Sequence, residues 1–322
     1  MSSSPELSVV VPVHGCAACL EALQRRLLAS LEPLTDRFEV LYVDDRSPDG
    51  AWRVLTELTA RDPRVRALRL SRNFGQHAAI TAGLARARGR FVVVMDCDLE
   101  EPPEVIPKLY AKAKDGYDIV HGVRRGRRHG PARRWASRLY RYLLLEADRH
   151  AEYGTLSLVS RKVVEAFLRI EDRDREYMLM LDWLGFSHAS VEFEHAERHD
   201  GRSSYTARRL LRVAMDGMFF RTTVLLRLIV LLGFAIAGCG AALAAYNVLE
   251  YAAGHSPRGY TSLVVLMLLL SGFIIISLGV VGLYVGRIFD QVKRRPLFIV
   301  DEQLNADGTP ADGLPSAARG IR

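Results

Sequence analysis

The chain has 322 residues, enough for one large domain or two with a buried core. Its 44 Lys and Arg exceed its 37 Asp and Glu, and the net charge of +7 favours a phosphate-rich substrate, an anionic membrane or nucleic acid as partner. No nucleic acid is expected, because the sequence has neither zinc-finger spacing nor the aromatic pattern of single-strand-binding proteins.

Strand patterns alternate with helical patterns along the first part of the chain. Residues 7–13, 38–43, 65–70, 91–95 and 118–121 have the pattern of buried strands, and helical segments of about ten to fifteen residues separate most of them. This alternation predicts an α/β fold with a mostly parallel, Rossmann-like sheet. Two more strands are predicted at 156–160 and 188–194.

The fourth predicted strand ends in a pair of carboxylates. The stretch from Phe91 to Glu104 reads FVVVMDCDLEEPPE, in which a buried-strand pattern leads directly into Asp96 and Asp98. Spacing by two residues places both side chains on the same side of an extended chain. Carboxylate pairs of this kind suit Mg²⁺ or Mn²⁺ together with substrate phosphate oxygens. A strand end facing water is the alternative interpretation of so short a motif.

The four cysteines do not form the pattern of a disulfide framework. Cys16 and Cys19 make one C-x-x-C motif, but no second pair completes a zinc site. We therefore expect reduced thiols in a reducing compartment. The N-terminus has no basic region and only a short apolar run, so it is predicted to be the first strand and not a signal peptide.

Two long apolar stretches occupy the last third of the chain, at 228–246 and 263–285. Each is near or above the roughly 20 residues that cross a bilayer as a helix. A buried core helix is the alternative, but two such stretches in tandem favour a transmembrane hairpin. Basic residues flank its outer ends, and the positive-inside rule therefore places both ends in the cytoplasm. Residues 206–221 combine arginines with bulky apolar side chains, which predicts a helix in the membrane interface.

Six motifs follow one another between about residues 7 and 300. They read VVVPV at 9–13, DDRSPDG at 44–50, SRNFGQHAAITAGL at 71–84, DCDLEEPPE at 96–104, R-x-x-G-x-S at 198–203 and LYVGRIFDQVKRRPLFIV at 283–300. With these motifs and a two-span anchor, the chain resembles family 2 glycosyltransferases of the polyprenyl-phosphate type, the group of dolichol-phosphate mannose synthase and the undecaprenyl-phosphate glucosyl- and aminoarabinosyl-type transferases. The resemblance implies the nucleotide-sugar-binding GT-A fold.

The resemblance also implies roles for individual residues. The nucleotide would be bound by Pro12, Val13, Asp44, Asp45 and Asp96. Asp96 and Asp98 would hold Mg²⁺ or Mn²⁺, with Asp98 the better ligand candidate. The donor diphosphate or the acceptor phosphate would be met by Arg124, Arg198, Arg202, Ser203 and Tyr205. The catalytic group would comprise Asp98, Arg198 and Glu152, the last as the nearest remaining candidate base. A cation and arginines would together offset the charge on a leaving nucleoside diphosphate.

The chain departs from the family pattern at three places. His14-Gly15-Cys16 stands where the family usually has Tyr-Asn-Glu, so one carboxylate is missing. Ser204 replaces the usual Lys or Asn before Tyr205. Thr155 and Ser157 replace a carboxylate and an arginine. These changes all concern contacts to the donor or the acceptor.

The expected organisation has four segments. A cytoplasmic GT-A domain covers 1–205, an interfacial helix 206–221, two transmembrane helices 222–286, and a C-terminal segment with a disordered tail 287–322. The expected location is the inner membrane of a bacterium. Partners are a nucleoside-diphosphate sugar, a polyprenyl phosphate lipid and the membrane, with a homo-oligomer left open.

The expected reaction is metal-dependent, inverting transfer of a sugar from a UDP-hexose to undecaprenyl phosphate at the cytoplasmic leaflet. A processive polysaccharide synthase is one alternative; against it, no Gln lies three residues before Arg134-Trp135, and two spans are few for a polymer channel. A catalytically degenerate protein that binds nucleotide sugar as a scaffold is the other, and the missing carboxylates at 16 and 155 support it.

Overall fold

The chain forms two compact units in this computed structural model. The structure describes residues 4–125, 153–173, 175–194, 224–253 and 260–305. The first unit comprises residues 1–130, 148–201 and 294–322, and the second comprises residues 131–147 and 202–293. The two are considered separately below.

The first unit is built on a sheet of eight described strands. These are β1 (Leu7–Val13), β2 (Phe38–Asp44), β3 (Val65–Leu70), β4 (Phe91–Val94), β5 (Ile119–Arg125), β6 (Tyr153–Ser160), β7 (His188–Glu194) and β8 (Val300–Leu304). Their spatial order is β7-β5-β6-β4-β1-β2-β3-β8. Neighbours pair in parallel, except that β6 and β8 run antiparallel to the strands beside them. The predicted mostly parallel sheet is therefore confirmed.

Helices cover both faces of this sheet. They are α1 (Ala17–Leu31), α2 (Ala51–Arg61), α3 (Gln76–Arg86), α4 (Ile106–Lys114), α5 (Arg161–Arg169) and α6 (Tyr177–Trp183). One buried cluster packs α1, α2 and α4 against the sheet, and a second packs α3, α5 and α6 against the opposite face. All seven residues of β1 are buried, since its side chains alternate between the two clusters. This burial on both faces explains the continuous apolar pattern of the strand.

Strand β8 closes one edge of the sheet and was not predicted from the sequence. It pairs antiparallel with β3, in a register that places Ala67 opposite Leu304. The side-chain amide of Asn305 then donates hydrogen bonds to the carbonyl oxygens of Thr59 (2.7 Å) and Val65 (2.8 Å). A charged five-residue strand has little hydrophobic pattern, so its sequence gives no strand signal. Covering the edge of β3 removes an exposed row of backbone donors and acceptors.

The second unit contains two long helices, α7 (Val224–Ala252) and α8 (Tyr260–Val292). They approach closely at Gly233, where an added Cβ would lie 3.3 Å from the ring of Phe273. Large apolar side chains are exposed along both helices, among them Leu231, Phe234, Ile275 and Leu278. Both predicted spans, 228–246 and 263–285, fall within these helices. The predicted interfacial helix at 206–221 lies outside the described residues.

Among the residues that the structure describes, one stretch is long and apolar enough to cross a membrane, Leu270–Val292. A second apolar stretch in α7, Leu231–Gly240, is shorter than a span requires. Length and composition thus support one of the two predicted spans directly. The hairpin as a whole remains a proposal, taken up below.

Candidate functional site

The candidate site lies at the carboxyl ends of β1, β2 and β4. In the sheet, β1 has β2 and then β3 on one side. The chain then crosses back, and β4 pairs with the other side of β1. Open α/β sheets bind ligands at this kind of reversal in strand order. Val13 is paired with Asp44 at the end of β1, and Asp96 follows the end of β4. The structure therefore brings together the predicted residues of three separate motifs.

Asp45 organises the loop that leads into α3. Its two carboxylate oxygens accept hydrogen bonds from the backbone N–H groups of Phe74 (2.7 Å) and Gly75 (2.8 Å). The Gly75 backbone has a φ of 96°, in the left-handed region that favours glycine. Asp45 thus fixes the start of the motif at 71–84, and its predicted contact to a nucleotide stays a prediction.

Asp44 is fully buried at the end of β2. One carboxylate oxygen accepts the backbone N–H of Ser47 at 2.8 Å, and the other lies 3.4 Å from Nε of Arg69. Burial raises the pKa of this carboxyl group, while the Ser47 N–H and the Arg69 charge oppose the rise. The hydrogen bond from Ser47 shows that Asp44 positions the loop that follows β2, and its predicted contact to a nucleotide stays a prediction.

The loop after β1 is held by polar contacts instead of the missing family side chains. The backbone N–H of Gly15 donates to the Ser47 hydroxyl (2.7 Å), and that of Ala17 donates to the Asp49 carboxylate (2.7 Å). His14 lies 3.2 Å from the backbone oxygen of Asp45 through Nδ1. The motif at 44–50 therefore positions the loop at 14–17.

Asp96 and Asp98 are both half-buried, while Cys97 and Leu99 between and after them are buried in the core. This alternation in burial agrees with the predicted location of the two carboxylates on one side of the chain. Burial, and then the neighbouring charge of Asp98, raises the pKa of Asp96. The pair thus carries negative charge that nearby cations offset only in part. Such a donor set fits a hard divalent cation.

The partners of Asp96 are neutral. Its carboxylate accepts hydrogen bonds from the side-chain amide of Gln76 at 2.7 Å and from the hydroxyl of Thr155 at 3.2 Å. Thr155 occupies the position where the family usually has a carboxylate. Compared with a carboxylate, threonine removes one negative charge from the immediate surroundings of Asp96. The carboxylate of Asp96 still accepts a hydrogen bond from this position.

Glu101 is a residue of this site that the sequence analysis did not single out. Its carboxyl group is fully buried, and its oxygens accept hydrogen bonds from the backbone N–H groups of Asp96 (3.1 Å) and Leu156 (3.0 Å). Burial, together with the charge of Asp96, raises the pKa of Glu101. A Cβ at Gly154 would lie 2.5 Å from a Glu101 oxygen, which explains the glycine there. The only sequence signal was an acidic residue just before Pro102.

Arg124 stands at the end of β5, where its guanidinium lies 3.2 Å from the Glu100 carboxylate. Its positive charge opposes the rise in the pKa of Asp96, so it acts on the carboxylate pair. The other residues predicted to meet phosphate or to catalyse lie outside the described part of the chain; they are Glu152, Arg198, Arg202, Ser203 and Tyr205.

The expectation that the cysteines are reduced thiols is wrong for two of them. Cys16 and Cys97 form a disulfide with a Cα–Cα distance of 6.4 Å. Each lies three residues beyond the end of a strand, and these strands, β1 and β4, are neighbours in the sheet. The sequence analysis compared cysteines that are close along the chain, and it therefore missed a pair separated by 81 positions.

A second group of ligand side chains lies away from the predicted carboxylate pair. The ligand atoms of His121, Asp182 and His188 are all within 4.8 Å of one another. Nε2 of His121 is 3.0 Å from Nδ1 of His188, because β5 pairs in parallel with β7. Two imidazoles and a carboxylate suit zinc or a similar transition metal better than Mg²⁺. The 67-residue separation of the histidines hid this group from the sequence analysis.

Comparison with known proteins identifies relatives along nearly the whole chain. The family model of Glycosyl transferase family 2 matches residues 8–168. A Bacillus subtilis protein named uncharacterized glycosyltransferase YkcC is 34% identical over 308 residues, covering 94% of this chain and 95% of that protein. The undecaprenyl-phosphate 4-deoxy-4-formamido-L-arabinose transferase of Pseudomonas paraeruginosa is 36% identical over 318 residues, covering 97% of this chain and 93% of that protein.

Two solved structures share the fold. The mannosyltransferase PcManGT from Pyrobaculum calidifontis, in complex with GDP-Man and Mn²⁺, aligns with a TM-score of 0.50 and 20% identity, covering 86% of this chain and 88% of that chain. The mannosyl-3-phosphoglycerate synthase from Rubrobacter xylanophilus aligns with a TM-score of 0.50 and 20% identity, covering 71% and 75%. These likenesses establish the architecture of the α/β unit, and the predicted GT-A type of fold is confirmed.

Proposed function

The chain belongs to glycosyl transferase family 2 and is a glycosyltransferase, and from that premise we propose that it transfers a sugar from a nucleoside diphosphate to undecaprenyl phosphate. The observation that carries the proposal is 36% identity, over 97% of the chain, to a relative named as a transferase to this lipid phosphate. That similarity continues beyond residues 8–168 into the part that contains α7 and α8. A UDP-hexose is the proposed donor by analogy.

Asp96 and Asp98 would hold the divalent cation of the donor site. Two features support this assignment: both carboxylates stay partly accessible beside the buried Cys97, and the charge of Asp98 contributes to the raised pKa of Asp96. When bound, Mg²⁺ or Mn²⁺ would offset the negative charge on the leaving nucleoside diphosphate. The nucleotide itself would lie against the end of β1, where Pro12 and Val13 meet the acidic end of β2.

The proposed acceptor simplifies the chemistry. A phosphate monoester has a second pKa of about 6, so near neutral pH the lipid phosphate is largely a dianion and can attack without losing a proton. The protein then has to align this nucleophile with the anomeric carbon, on the side opposite to the leaving group, which gives inversion. Arg124 at the carboxyl edge, with Arg198 and Ser203 of the R-x-x-G-x-S motif, would bind phosphate.

The apolar helices would anchor the enzyme where its lipid substrate is found. Side chains of α7 and α8 such as Leu231, Phe234 and Ile275 are more than two-thirds exposed, and an exposed apolar surface of this kind marks contact with lipid or protein. We propose that both helices cross the inner membrane of a bacterium as a hairpin. The α/β domain at 1–205 and the segment at 287–322 would both lie in the cytoplasm, as the flanking basic residues favour.

Transfer to lipid tests the proposal. Membranes containing the full chain, and membranes without it, would be incubated with undecaprenyl phosphate, Mn²⁺ and radiolabelled UDP-glucose, UDP-N-acetylglucosamine or a UDP-linked 4-formamido pentose. We expect label in a lipid that mild acid releases, and the Asp98→Asn variant should reduce it by about 10²-fold or more, as loss of electrostatic stabilisation predicts. Asp115→Asn, an exposed acidic residue in the loop after α4, is the matched control.

Other outcomes identify the two alternatives. Label in an acid-stable polymer would show a processive polysaccharide synthase. Donor binding without any labelled lipid, across all three donors, would show a nucleotide-sugar-binding scaffold. Unchanged transfer by Asp98→Asn, or in the presence of EDTA, would overturn the metal assignment while leaving the transferase in place.

A further inference from the structure

The disulfide joins the two loops that form the candidate donor site. Cys16 precedes the first turn of α1, in the loop after β1, and Cys97 lies between Asp96 and Asp98, in the loop after β4. Because β1 and β4 pair side by side, the bond connects the loop proposed to meet the nucleotide with the loop that carries the carboxylates. No other covalent link is present among the described residues.

The disulfide holds the core-facing side of the loop that carries Asp96 and Asp98, which we call the carboxylate loop. Cys97 and Leu99 are buried in the cluster that also contains Val13 and Leu20, whereas Asp96 and Asp98 are only partly buried. Leu99 has a φ of 64°, which a residue with a side chain adopts at some energetic cost. The disulfide supports this conformation from the side of the loop that packs on the core.

We propose that Cys16 and Cys97 form a reversible redox site that holds the two carboxylates in the arrangement that binds the metal and the donor. Oxidation locks the loops together, and reduction to two thiols weakens binding of the cation and of the nucleoside diphosphate. The inference rests on the proposed function for its nucleotide ligand. The disulfide and the affinity for the metal alone can be measured whether or not sugar transfer occurs.

The chemistry is thiol–disulfide exchange with a dithiol reductant. One thiolate of the reductant attacks a sulfur of the Cys16–Cys97 bond, forms a mixed disulfide and releases the other cysteine as a thiolate. The second thiol of the reductant then displaces the bound cysteine. The reductant loses two electrons and two protons and becomes a disulfide, while Cys16 and Cys97 each end as a thiol. Cytoplasmic disulfides are mostly transient or redox-sensing, which suits a link of this kind in the proposed compartment.

Cys19 supplies a matched control. It lies in the first turn of α1, three residues after Cys16, and its sulfur is not part of the disulfide. The full chain would be purified in detergent without reductant, with its disulfide located by mass spectrometry of alkylated peptides. Affinities for Mn²⁺ alone and for UDP with Mn²⁺ would be measured by calorimetry in three states: as purified, after reduction with a dithiol, and after reoxidation.

We expect linked Cys16 and Cys97 peptides, and a Kd for Mn²⁺ that rises roughly tenfold on reduction and recovers on reoxidation, since loss of support around a metal site costs about 10- to 100-fold in affinity. Cys19→Ser should respond in the same way. The Cys16→Ala/Cys97→Ala double variant should bind as the reduced chain does and show no response to redox treatment.

The results separate this inference from the proposed function. Unlinked peptides in the oxidised chain, or a Kd for Mn²⁺ that reduction leaves unchanged, would overturn the redox site. A redox-dependent Kd for Mn²⁺ without UDP binding in any state would retain the redox site and overturn the nucleotide donor. Binding of both ligands without sugar transfer in either redox state would overturn the transferase function alone.

Discussion

The buried carboxyl group of Glu101 accepts a hydrogen bond from the backbone N–H of Asp96 at 3.1 Å. Its other oxygen accepts the backbone N–H of Leu156 at 3.0 Å, so one side chain connects the carboxylate loop to β6. β6 carries Thr155, which donates to Asp96. Glu101 therefore positions both the backbone of Asp96, the proposed metal ligand, and the strand that carries its partner Thr155.

The first prediction is that Glu101→Ala destabilises the chain. It leaves two backbone N–H groups buried without an acceptor, and each such group costs about 1–3 kcal/mol. Thermal and denaturant unfolding of the full chain in detergent would measure the loss. Glu104→Gln is the matched control, because Glu104 is exposed and its ion pair with Arg26 contributes about 0–1 kcal/mol. Equal stability of the two variants would contradict the role given to Glu101.

The second prediction concerns pH. Burial and neighbouring charge raise the pKa values of Asp96 and Glu101, so the folded chain keeps protons that the unfolded chain has lost. The free energy of unfolding should therefore fall as pH rises from the usual carboxyl values of 3.8 and 4.5 through the raised values, by up to about 1.4 kcal/mol per pH unit and group. Carboxyls with lowered pKa values titrate below this window; they include Glu6, Asp49 and Asp118.

Unfolding in EDTA between about pH 5 and pH 8 would measure this slope. Glu101→Gln should make the slope shallower, because it removes one of the carboxyl groups with a raised pKa, while Asp44 and Asp96 remain. Mn²⁺ should flatten it as well, since a bound cation favours the ionised carboxylates. The interpretation fails if the slope of the parent chain and that of Glu101→Gln are the same.

The sequence predicts the sheet and the carboxylate pair because both depend on local patterns. The apolar run at 91–95 predicts a strand buried on two faces, which the structure has at Phe91–Val94, and a spacing of two predicts that Asp96 and Asp98 share a side. Cys16 meets Cys97 for a different reason. Their contact depends on which strands are neighbours in the sheet, and the paired residues Leu7 of β1 and Phe91 of β4 are 84 positions apart in the sequence.

Glu101 and β8 escape sequence analysis for the same kind of reason. Nothing in the letters EEPP indicates that the second Glu turns inward, because one of its two partners, the backbone N–H of Leu156, is 55 residues away in the sequence. β8 is recognisable only from the free edge of β3 that it covers. The function could be inferred from the sequence although these contacts could not, because the motifs that carry the family resemblance are short and local.

The third prediction concerns the membrane. A cysteine replacing Ser256, between α7 and α8 in the sequence, should react in intact cells with a thiol reagent that does not cross membranes, provided Cys239 is first changed to Ser. A cysteine replacing Ser316 should react only after the membrane is opened. Both expectations follow from the positive-inside rule. The reverse pattern of labelling would place the α/β domain outside the cytoplasm and contradict the proposed hairpin.

The fourth prediction asks whether the transfer needs a general base. Glu152, three residues before Thr155 in the sequence, is the candidate, and a true base would contribute roughly 10²- to 10⁴-fold to kcat. Because the proposed acceptor is already a dianion near pH 7.5, we expect Glu152→Gln to lower kcat by less than about tenfold. Arg198→Ala should lower activity more, because it removes the proposed charge-assisted contact to phosphate. The measurement is the initial rate of lipid labelling at saturating donor.

Thr155 provides the complementary variant, because it stands where the family usually has a carboxylate and its hydroxyl lies 3.2 Å from Asp96. Thr155→Ser keeps this hydroxyl and should keep activity. Thr155→Asp places a third negative charge beside Asp96 and Asp98, so the pKa of Asp96 should rise further and the rate at low Mn²⁺ should fall. A gain in rate from Thr155→Asp, or a loss beyond roughly 10²-fold in Glu152→Gln that higher pH restores, would show that proton abstraction limits the reaction and that the dianion does not act alone.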